Sequence, residues 1–374
     1  MKKQIAILFS FSVLIFASCK LEWETDFEKA QEQAKKTEKS ILLNITSFET
    51  DDISKPLQEK VFNLWKFGQK YKKQFIFVNL DFSERMKMNS LGADATEDDV
   101  LAMQKILADS QGALEIAQKY AVRDLPTTLI LSKDGFVVSR LNFFDVKPDF
   151  DPSAESAQDA KVEDIVDIYD FDKVCSTIDE VLPALEEFNA RIKIADDETA
   201  DARKRVDAIN QIFDSTDFAY QRLLRRFSET VLKLDASNQS GTLGKHIISI
   251  ALADDEGSDN AIFASSHYEK AAEHPALSAN DKQFLYFQAA TSFSRAQNED
   301  SFAQAGGFDR IATLLDKSLA ADPSSEFAPA IKSAIQDFKR WREEFEKLKE
   351  LSENPQTQSS ENAENAEEVP NAQN

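Results

Sequence analysis

Strand-like patterns occur in only one part of this chain of 374 residues, between about residues 40 and 138. The apolar runs over 41–45 and 75–80 suit buried strands, and they alternate with segments whose apolar residues follow helical spacing. From about residue 200 to residue 351 only helical spacing is found. The sequence therefore predicts an α/β domain, a mixed sheet flanked by helices, followed by an all-α domain.

Further strands are predicted over 127–131 and 136–138, joined by the sequence SKDG, which is typical of a hairpin turn. Helices are predicted within 51–71, 97–120 and 171–191. In the second half, apolar stripes separated by breakers such as Asp322-Pro323 predict helices with short connections, stacked as antiparallel pairs.

The first residues have the pattern of an export signal. A lysine pair precedes an apolar run over 5–16, which is shorter than the ~20 residues that span a bilayer, and Cys19 follows directly after Ala-Ser. This ending resembles the lipobox of bacterial lipoproteins, in which the Cys is lipidated. Phe16 stands where that motif usually has Leu, and the alternative is a plain signal peptide that leaves Cys19 free. We predict a signal peptide over 1–18 and a lipidated N-terminus over 19–22.

Two segments are strongly acidic. Residues 141–170 hold nine Asp or Glu and two Lys, a net charge of −7, and residues 352–374 hold five Glu and no Lys or Arg. We interpret most of the first segment as an acidic, loosely ordered insertion in the α/β domain and the second as a disordered tail. The α/β domain is assigned to 23–192 and the helical domain to 200–351.

The composition excludes several kinds of chemistry. With 44 Lys and Arg against 66 Asp and Glu, the net charge of −22 is unsuited to nucleic-acid binding. Two Cys and three His allow no cysteine scaffold and leave little room for a metal site, so neither metal nor cofactor is predicted. Cys175 lies on the apolar face of a predicted helix, which favours a core cysteine over a reactive one.

Two landmarks resemble the thioredoxin-like domains of secreted bacterial proteins. The sequence KSILLNIT over 39–46, followed by Lys60-Val61-Phe62, is similar to one of them. The run YAVRDLPTTLIL over 120–131, followed by Asp134-Gly135, is similar to the other. The resemblance covers about residues 22–190. It implies a thioredoxin fold, in which the proline at this position, here Pro126, is normally cis.

The redox motif of that family is missing. Its C-x-x-C positions fall on Asp51, Asp52, Ile53 and Ser54. Thiol–disulfide exchange needs an attacking thiolate and a second thiol that resolves the mixed disulfide, so we predict that the chain is not an enzyme of this kind. The resemblance implies a helix N-terminus here, which Asp51 and Asp52 would cap. The alternative is a carboxylate pair that binds a cation or acts as acid and base.

The loop Leu125-Pro126-Thr127 keeps the family's proline. In the proteins that the chain resembles, this loop lines a surface where extended peptides lie, and a redox-inactive domain that keeps the surface would hold polypeptide. The alternative is that Pro126 only sets the strand that follows.

The helical half has a weaker resemblance. Residues 314–328, with the Asp322-Pro323 turn, look like a junction between tetratricopeptide helices, although no regular 34-residue period is evident. Lipobox, thioredoxin-like domain and helical array together resemble thioredoxin-family lipoproteins of spirochaetes that lack the C-x-x-C motif.

These observations predict a non-enzymatic lipoprotein of the bacterial envelope that binds a protein or an extended polypeptide. Lipid on Cys19 would anchor it to a membrane, most simply on the periplasmic side. Two hypotheses compete with this one. The first is an accessory of disulfide metabolism or a chaperone-like factor that uses Cys175 or a partner's thiols, and the second is a surface-exposed lipoprotein.

Overall fold

The computed structural model describes residues 21–47, 52–88, 96–148, 161–256, 260–296 and 299–353. Cys19, Asp51 and the tail beyond residue 353 lie outside these ranges. The described residues form two compact units. The first holds those up to Ile194 together with Gln211–Tyr220, and the second holds Ala195–Asn210 and those from Gln221 onward.

The first unit alternates strands with helices, as the sequence predicts. Its elements are, in chain order, α1 (Phe27–Thr37), β1 (Ser40–Thr46), α2 (Ser54–Leu57), α3 (Trp65–Tyr71), β2 (Phe75–Asp81), α4 (Ser83–Met88), α5 (Glu97–Lys119), β3 (Thr127–Leu131), β4 (Val137–Leu141), β5 (Phe144–Val146), α6 (Val162–Ile165), β6 (Val166–Ile168) and α7 (Phe171–Asp196).

Four strands form a mixed sheet in the order β2-β1-β3-β4. β1 runs parallel to β2 and antiparallel to β3, which in turn pairs antiparallel with β4. All seven residues of β1 are buried. This burial on both faces explains why its sequence is a continuous apolar run rather than an alternating one.

The segment predicted as one helix over 51–71 is broken in the structure. After α2 the chain makes a π-helical turn over Gln58–Phe62, and α3 starts anew at Trp65 because Leu64 adopts an extended backbone. The break lets Phe62 and Phe67 both enter the core, where their ring centroids lie 5.2 Å apart. The prediction of one continuous helix over this segment is therefore wrong, because the break is what allows both phenylalanines to be buried.

The acidic insertion is more ordered at its ends than its composition indicates. β4 extends to Leu141, and β5 pairs antiparallel with β6 to close a two-stranded sheet. Tyr169 and Lys173 both bind Asp145 across this sheet, at 2.7 and 2.6 Å. The interpretation of most of 141–170 as loosely ordered is therefore wrong for the described part of the segment, since paired charges and strand pairing offset its acidity.

The core of the first unit is rich in aromatic rings. Phe62 is 1% exposed. It packs against the rings of Trp23, Phe67 and Phe143 at centroid distances of 5.2 to 5.8 Å. α7 covers the same core through Val174, Cys175, Ile178 and Leu185.

The second unit is helical throughout its described residues. Its helices are α8 (Ala202–Asp214, shared between the two units), α9 (Phe218–Gln221, shared likewise), α10 (Arg225–Leu234), α11 (Leu243–Glu256), α12 (Ala261–Ala272), α13 (Ala279–Ser294), α14 (Glu299–Gln304), α15 (Gly307–Ala321) and α16 (Ala328–Glu353), with a 3₁₀ turn over Arg222–Leu224.

Successive helices of this unit pack on one another, most closely in the pairs α12–α13 and α13–α15. The buried Gln283 of α13 joins the second pair, because its amide nitrogen donates to the carbonyl oxygens of Ser318 and Asp322 at 3.3 and 2.6 Å. These bonds fasten the Asp322-Pro323 turn at the end of α15. In the described part of the chain, every helix falls short of the length and apolar character that crossing a bilayer requires.

We predict that Phe62→Ala destabilises the first unit by about 3–5 kcal/mol, because it leaves a cavity among three aromatic neighbours. Urea denaturation followed by circular dichroism measures this loss. The control is Trp65→Ala, whose side chain is 62% exposed and whose removal should change the free energy of unfolding by no more than about 0.5 kcal/mol. Equal losses in the two variants would contradict the assigned core.

Candidate functional site

The strand pairing brings the proline loop to the edge of the sheet where β1 ends and the chain continues towards the predicted C-x-x-C positions. Ile45 near the end of β1 pairs with Thr127 at the start of β3. Because these strands are antiparallel, the chain leaves β1 towards Asp52 at the same edge where it enters β3 from Pro126. We call this surface the cis-proline edge and define it by Thr46, Ser47, Asp52–Ser54 and Leu125–Thr127.

The loop before β3 is held in place by side chains. The Leu125-Pro126 peptide bond is cis, as the resemblance implies. The Thr127 hydroxyl donates to the carbonyl oxygen of Asp124 at 2.7 Å. The Arg140 guanidinium, reaching across from β4, donates to the Asp124 carboxylate at 2.7 Å and to Thr127 Oγ1 at 3.1 Å. The loop is thus fixed from both of its ends.

The three described residues at the predicted C-x-x-C positions lie in different environments. Asp52 is exposed in the turn before α2, Ile53 is half-buried at the N-cap, and Ser54 is the first helical residue and is 1% exposed. The prediction that Asp52 caps the helix is therefore wrong, since Ile53 occupies the N-cap position. Asp51 lies outside the described residues.

Four of the residues that define the cis-proline edge have buried hydroxyl groups. Thr46, Ser47, Ser54 and Thr127 are each no more than 2% exposed. Thr46 Oγ1 has no hydrogen-bond partner among the described residues. A buried hydroxyl without a partner costs free energy, so this one lowers the stability of the folded state.

A second layer of polar groups crosses the sheet one step deeper. Asn44 of β1 donates from Nδ2 to Asn79 Oδ1 of β2 at 3.0 Å, and its own Oδ1 accepts from the Thr128 hydroxyl of β3 at 2.9 Å. All three side chains are buried. Because each bond joins two different strands, the network fixes the register of β2, β1 and β3 beneath the edge.

Cys175 does not belong to this edge. Its carbonyl oxygen accepts a hydrogen bond from the Tyr71 hydroxyl at 3.0 Å, and Tyr71 precedes the first residue of β2. Thr46 of the edge pairs instead with Asp81, the last residue of β2. Burial raises the pKa of the Cys175 thiol, which disfavours the reactive thiolate. The interpretation as a buried core cysteine is confirmed.

Among its described residues, the edge therefore exposes the carboxylate of Asp52 beside half-buried apolar side chains, and it has no thiol at the described C-x-x-C positions. Across the described residues, no group of three or more His, Cys, Asp or Glu is arranged to hold a metal ion. The buried pair Asn44 and Asn79 and the loop-binding Arg140 were missed by the sequence analysis. The signal was there, since each Asn interrupts an otherwise apolar strand run.

A match to a family model agrees with the fold of the first unit. Residues 27–142 match a family model described as a thioredoxin-like domain, and residues 244–344 match one described as an uncharacterised protein C-terminal domain. The chain is also similar to the solved structure of a DsbH oxidoreductase, with 15% identity, a TM-score of 0.27, and coverage of 50% of this chain and 95% of that one. A search of curated proteins found no significant match. The chain thus contains a thioredoxin-like domain followed by a helical C-terminal region.

Two buried threonines of the site allow a matched test of its polar interior. We predict that Thr128→Val lowers the free energy of unfolding by about 1–3 kcal/mol, because the buried side-chain oxygen Oδ1 of Asn44 loses its hydrogen-bond donor. Thr46→Val removes a hydroxyl that has no partner and should instead stabilise the fold by roughly 1 kcal/mol. Urea denaturation of both variants measures the difference. A larger loss for Thr46→Val than for Thr128→Val would contradict the hydrogen bonding described.

Proposed function

We propose that this protein is a lipid-anchored component of the bacterial cell envelope whose thioredoxin-like domain binds extended polypeptide at the cis-proline edge without thiol chemistry. One observation carries the proposal. The loop Leu125–Thr127 is fixed by Arg140, while Asp51 and Ser54 fall where the sequence resemblance places the redox cysteines of a thioredoxin-like protein.

An extended chain suits the chemistry of this edge. Half-buried Leu125, Pro126 and Ile53 provide apolar contact beside exposed Asp52. Polypeptides recognised in extended form obtain affinity from backbone hydrogen bonds and specificity from pockets for alternate side chains. A loop that is already ordered before binding lowers the entropy cost of that interaction.

The competing hypothesis, a thiol-dependent accessory, needs Cys175 to be accessible. Its side chain is 3% exposed, and its environment raises the thiol pKa. A mixed disulfide would first require α7 to leave the core. These facts favour polypeptide binding over thiol chemistry as the function of the thioredoxin-like domain.

We predict that Leu125→Lys weakens binding to an array of immobilised random 15-residue peptides by roughly tenfold or more, because it puts a flexible charge on the apolar part of the edge. Leu101→Lys is the matched control, since Leu101 is 59% exposed on α5 and outside the edge. Cys175→Ser should leave binding unchanged.

The pattern of results separates the hypotheses. Binding that survives Leu125→Lys, or that falls equally in Leu101→Lys, contradicts the edge as the binding surface. Binding lost in Cys175→Ser, together with rapid alkylation of Cys175 in the native protein, supports the thiol-dependent accessory instead.

The anchor is tested separately. We predict that the protein, expressed with its own leader in a bacterium, incorporates labelled palmitate and partitions into the detergent phase of a Triton X-114 extract. Cys19→Ser should abolish both, because it removes the thiol that would carry the lipid. Palmitate that persists in the variant would show that Cys19 is not the lipidated residue, and a wild-type protein without label would favour a plain signal peptide.

A further inference from the structure

A basic surface lies beside the point where the described chain begins. Residues 60–80 contain five Lys and no Asp or Glu, in a chain whose net charge is −22. Four of these lysines lie on or just after α3, which also carries the exposed Trp65. We call the exposed side chains of Trp65, Lys66, Lys70, Lys72 and Lys73 the α3 surface.

The residues of α3 divide into two faces. Phe67, Gly68 and Tyr71 are buried. The other face is exposed and carries Trp65, Lys66 and Lys70. The side chain of Trp65 is 62% exposed, the largest exposed fraction among the large apolar side chains described. Tryptophan beside lysine is the composition typical of a protein face that lies in the headgroup region of a bilayer.

The charges of the α3 surface are only partly compensated. Lys70 Nζ pairs with Asp179 at 2.7 Å, with Asp172 also close, and Lys66 Nζ lies 3.5 Å from the centroid of the Phe171 ring. Among the described residues, Lys72 and Lys73 form no ion pair. Lys39 adds a further cation, since its Nζ donates to the Lys72 carbonyl oxygen at 2.7 Å. The surface therefore keeps a net positive charge.

The start of the described chain packs against the buried face of α3. A Cβ placed on Gly68 would lie only 3.0 Å from Leu21 Cδ1, so the absence of a side chain at Gly68 is what lets Leu21 pack against α3. Trp23 then packs on Phe62 and Phe77, and Glu24 bridges to Val78 of β2. Cys19 precedes Leu21 by two residues, which span at most about 7 Å.

From these observations we infer, resting on the lipid anchor proposed above, that the α3 surface binds the anionic phospholipid headgroups of the membrane that this anchor enters, with Trp65 at the interface. The charge of the surface complements an anionic bilayer, and the N-terminal segment packs through Leu21 against the same helix. Acyl chain and basic patch together give a more stable attachment than either alone. The inference is independent of what the cis-proline edge binds.

The test uses the whole exported chain from residue 19 onward, with Cys19→Ser so that no lipid is attached. A failure of vesicle binding by this variant is then distinct from a failure of the lipid anchor. We predict that this protein cosediments with phosphatidylglycerol-containing vesicles, not with vesicles of phosphatidylcholine alone, and that added salt weakens the binding. Tryptophan fluorescence should shift to shorter wavelength on binding.

Two variants, each with a matched control, locate the surface. Lys72→Gln with Lys73→Gln should weaken vesicle binding by at least roughly tenfold, since each lysine near an anionic surface contributes about fivefold. Lys35→Gln with Lys36→Gln, an equally exposed pair on α1, is the matched control for total charge. Trp65→Ala should weaken binding and abolish the fluorescence shift, whereas Trp341→Ala, removing a 47% exposed tryptophan of the helical unit, should do neither.

Several results would overturn the inference. They are binding that is equal on neutral and anionic vesicles, absence of binding to both, or equal losses in the two double-lysine variants. Retention of the fluorescence shift in Trp65→Ala would place the contact elsewhere on the protein.

Discussion

The pairing of β1 with both of its neighbours is the interaction on which the first unit depends. β1 is buried along its whole length, and it alone contacts both the parallel strand β2 and the antiparallel strand β3. The antiparallel partner brings the proline loop beside the end of β1, and the parallel partner brings α3 and its basic residues to the other end. The layout of every surface discussed follows from this one strand.

Polar groups inside the sheet make that arrangement specific. Apolar strands can slip in register at modest cost, whereas Asn44 bound to Asn79 and Thr128 would lose both hydrogen bonds on such a slip. The network therefore secures the position of the cis-proline edge more than it adds to total stability. The domain has no cysteine at the predicted C-x-x-C positions, yet its buried polar network still fixes the strands that position the proline loop.

Much of this architecture could be predicted from sequence, and the failures have physical causes. The strands over 41–45, 75–80 and 127–131 were predictable because burial on both faces produces continuous apolar runs. The break at Leu64 was not, because both halves of the segment have helical spacing and only the backbone reveals the interruption. The strands β5 and β6 were hidden by acidic composition, since the lysine and tyrosine that bind Asp145 lie outside any local pattern. Asp52 follows a helix-capping pattern, yet Ile53 is the cap, because the exact start of a helix depends on the preceding turn.

The parallel strand β2 has one further consequence for how such a protein would work on a surface. The N-terminal segment runs parallel to β2 and forms a β-bridge between Glu24 and Val78, so Leu21 lies towards the Phe75 end of the strand. The cis-proline edge lies beside Asp81, at the other end. Seven strand residues separate the two ends by about 20 Å. With the chain tethered at Cys19, β2 would act as a rigid spacer that sets the height of the edge above the headgroups. Under the proposed function, this geometry would favour polypeptides that stand clear of the bilayer over segments embedded in it.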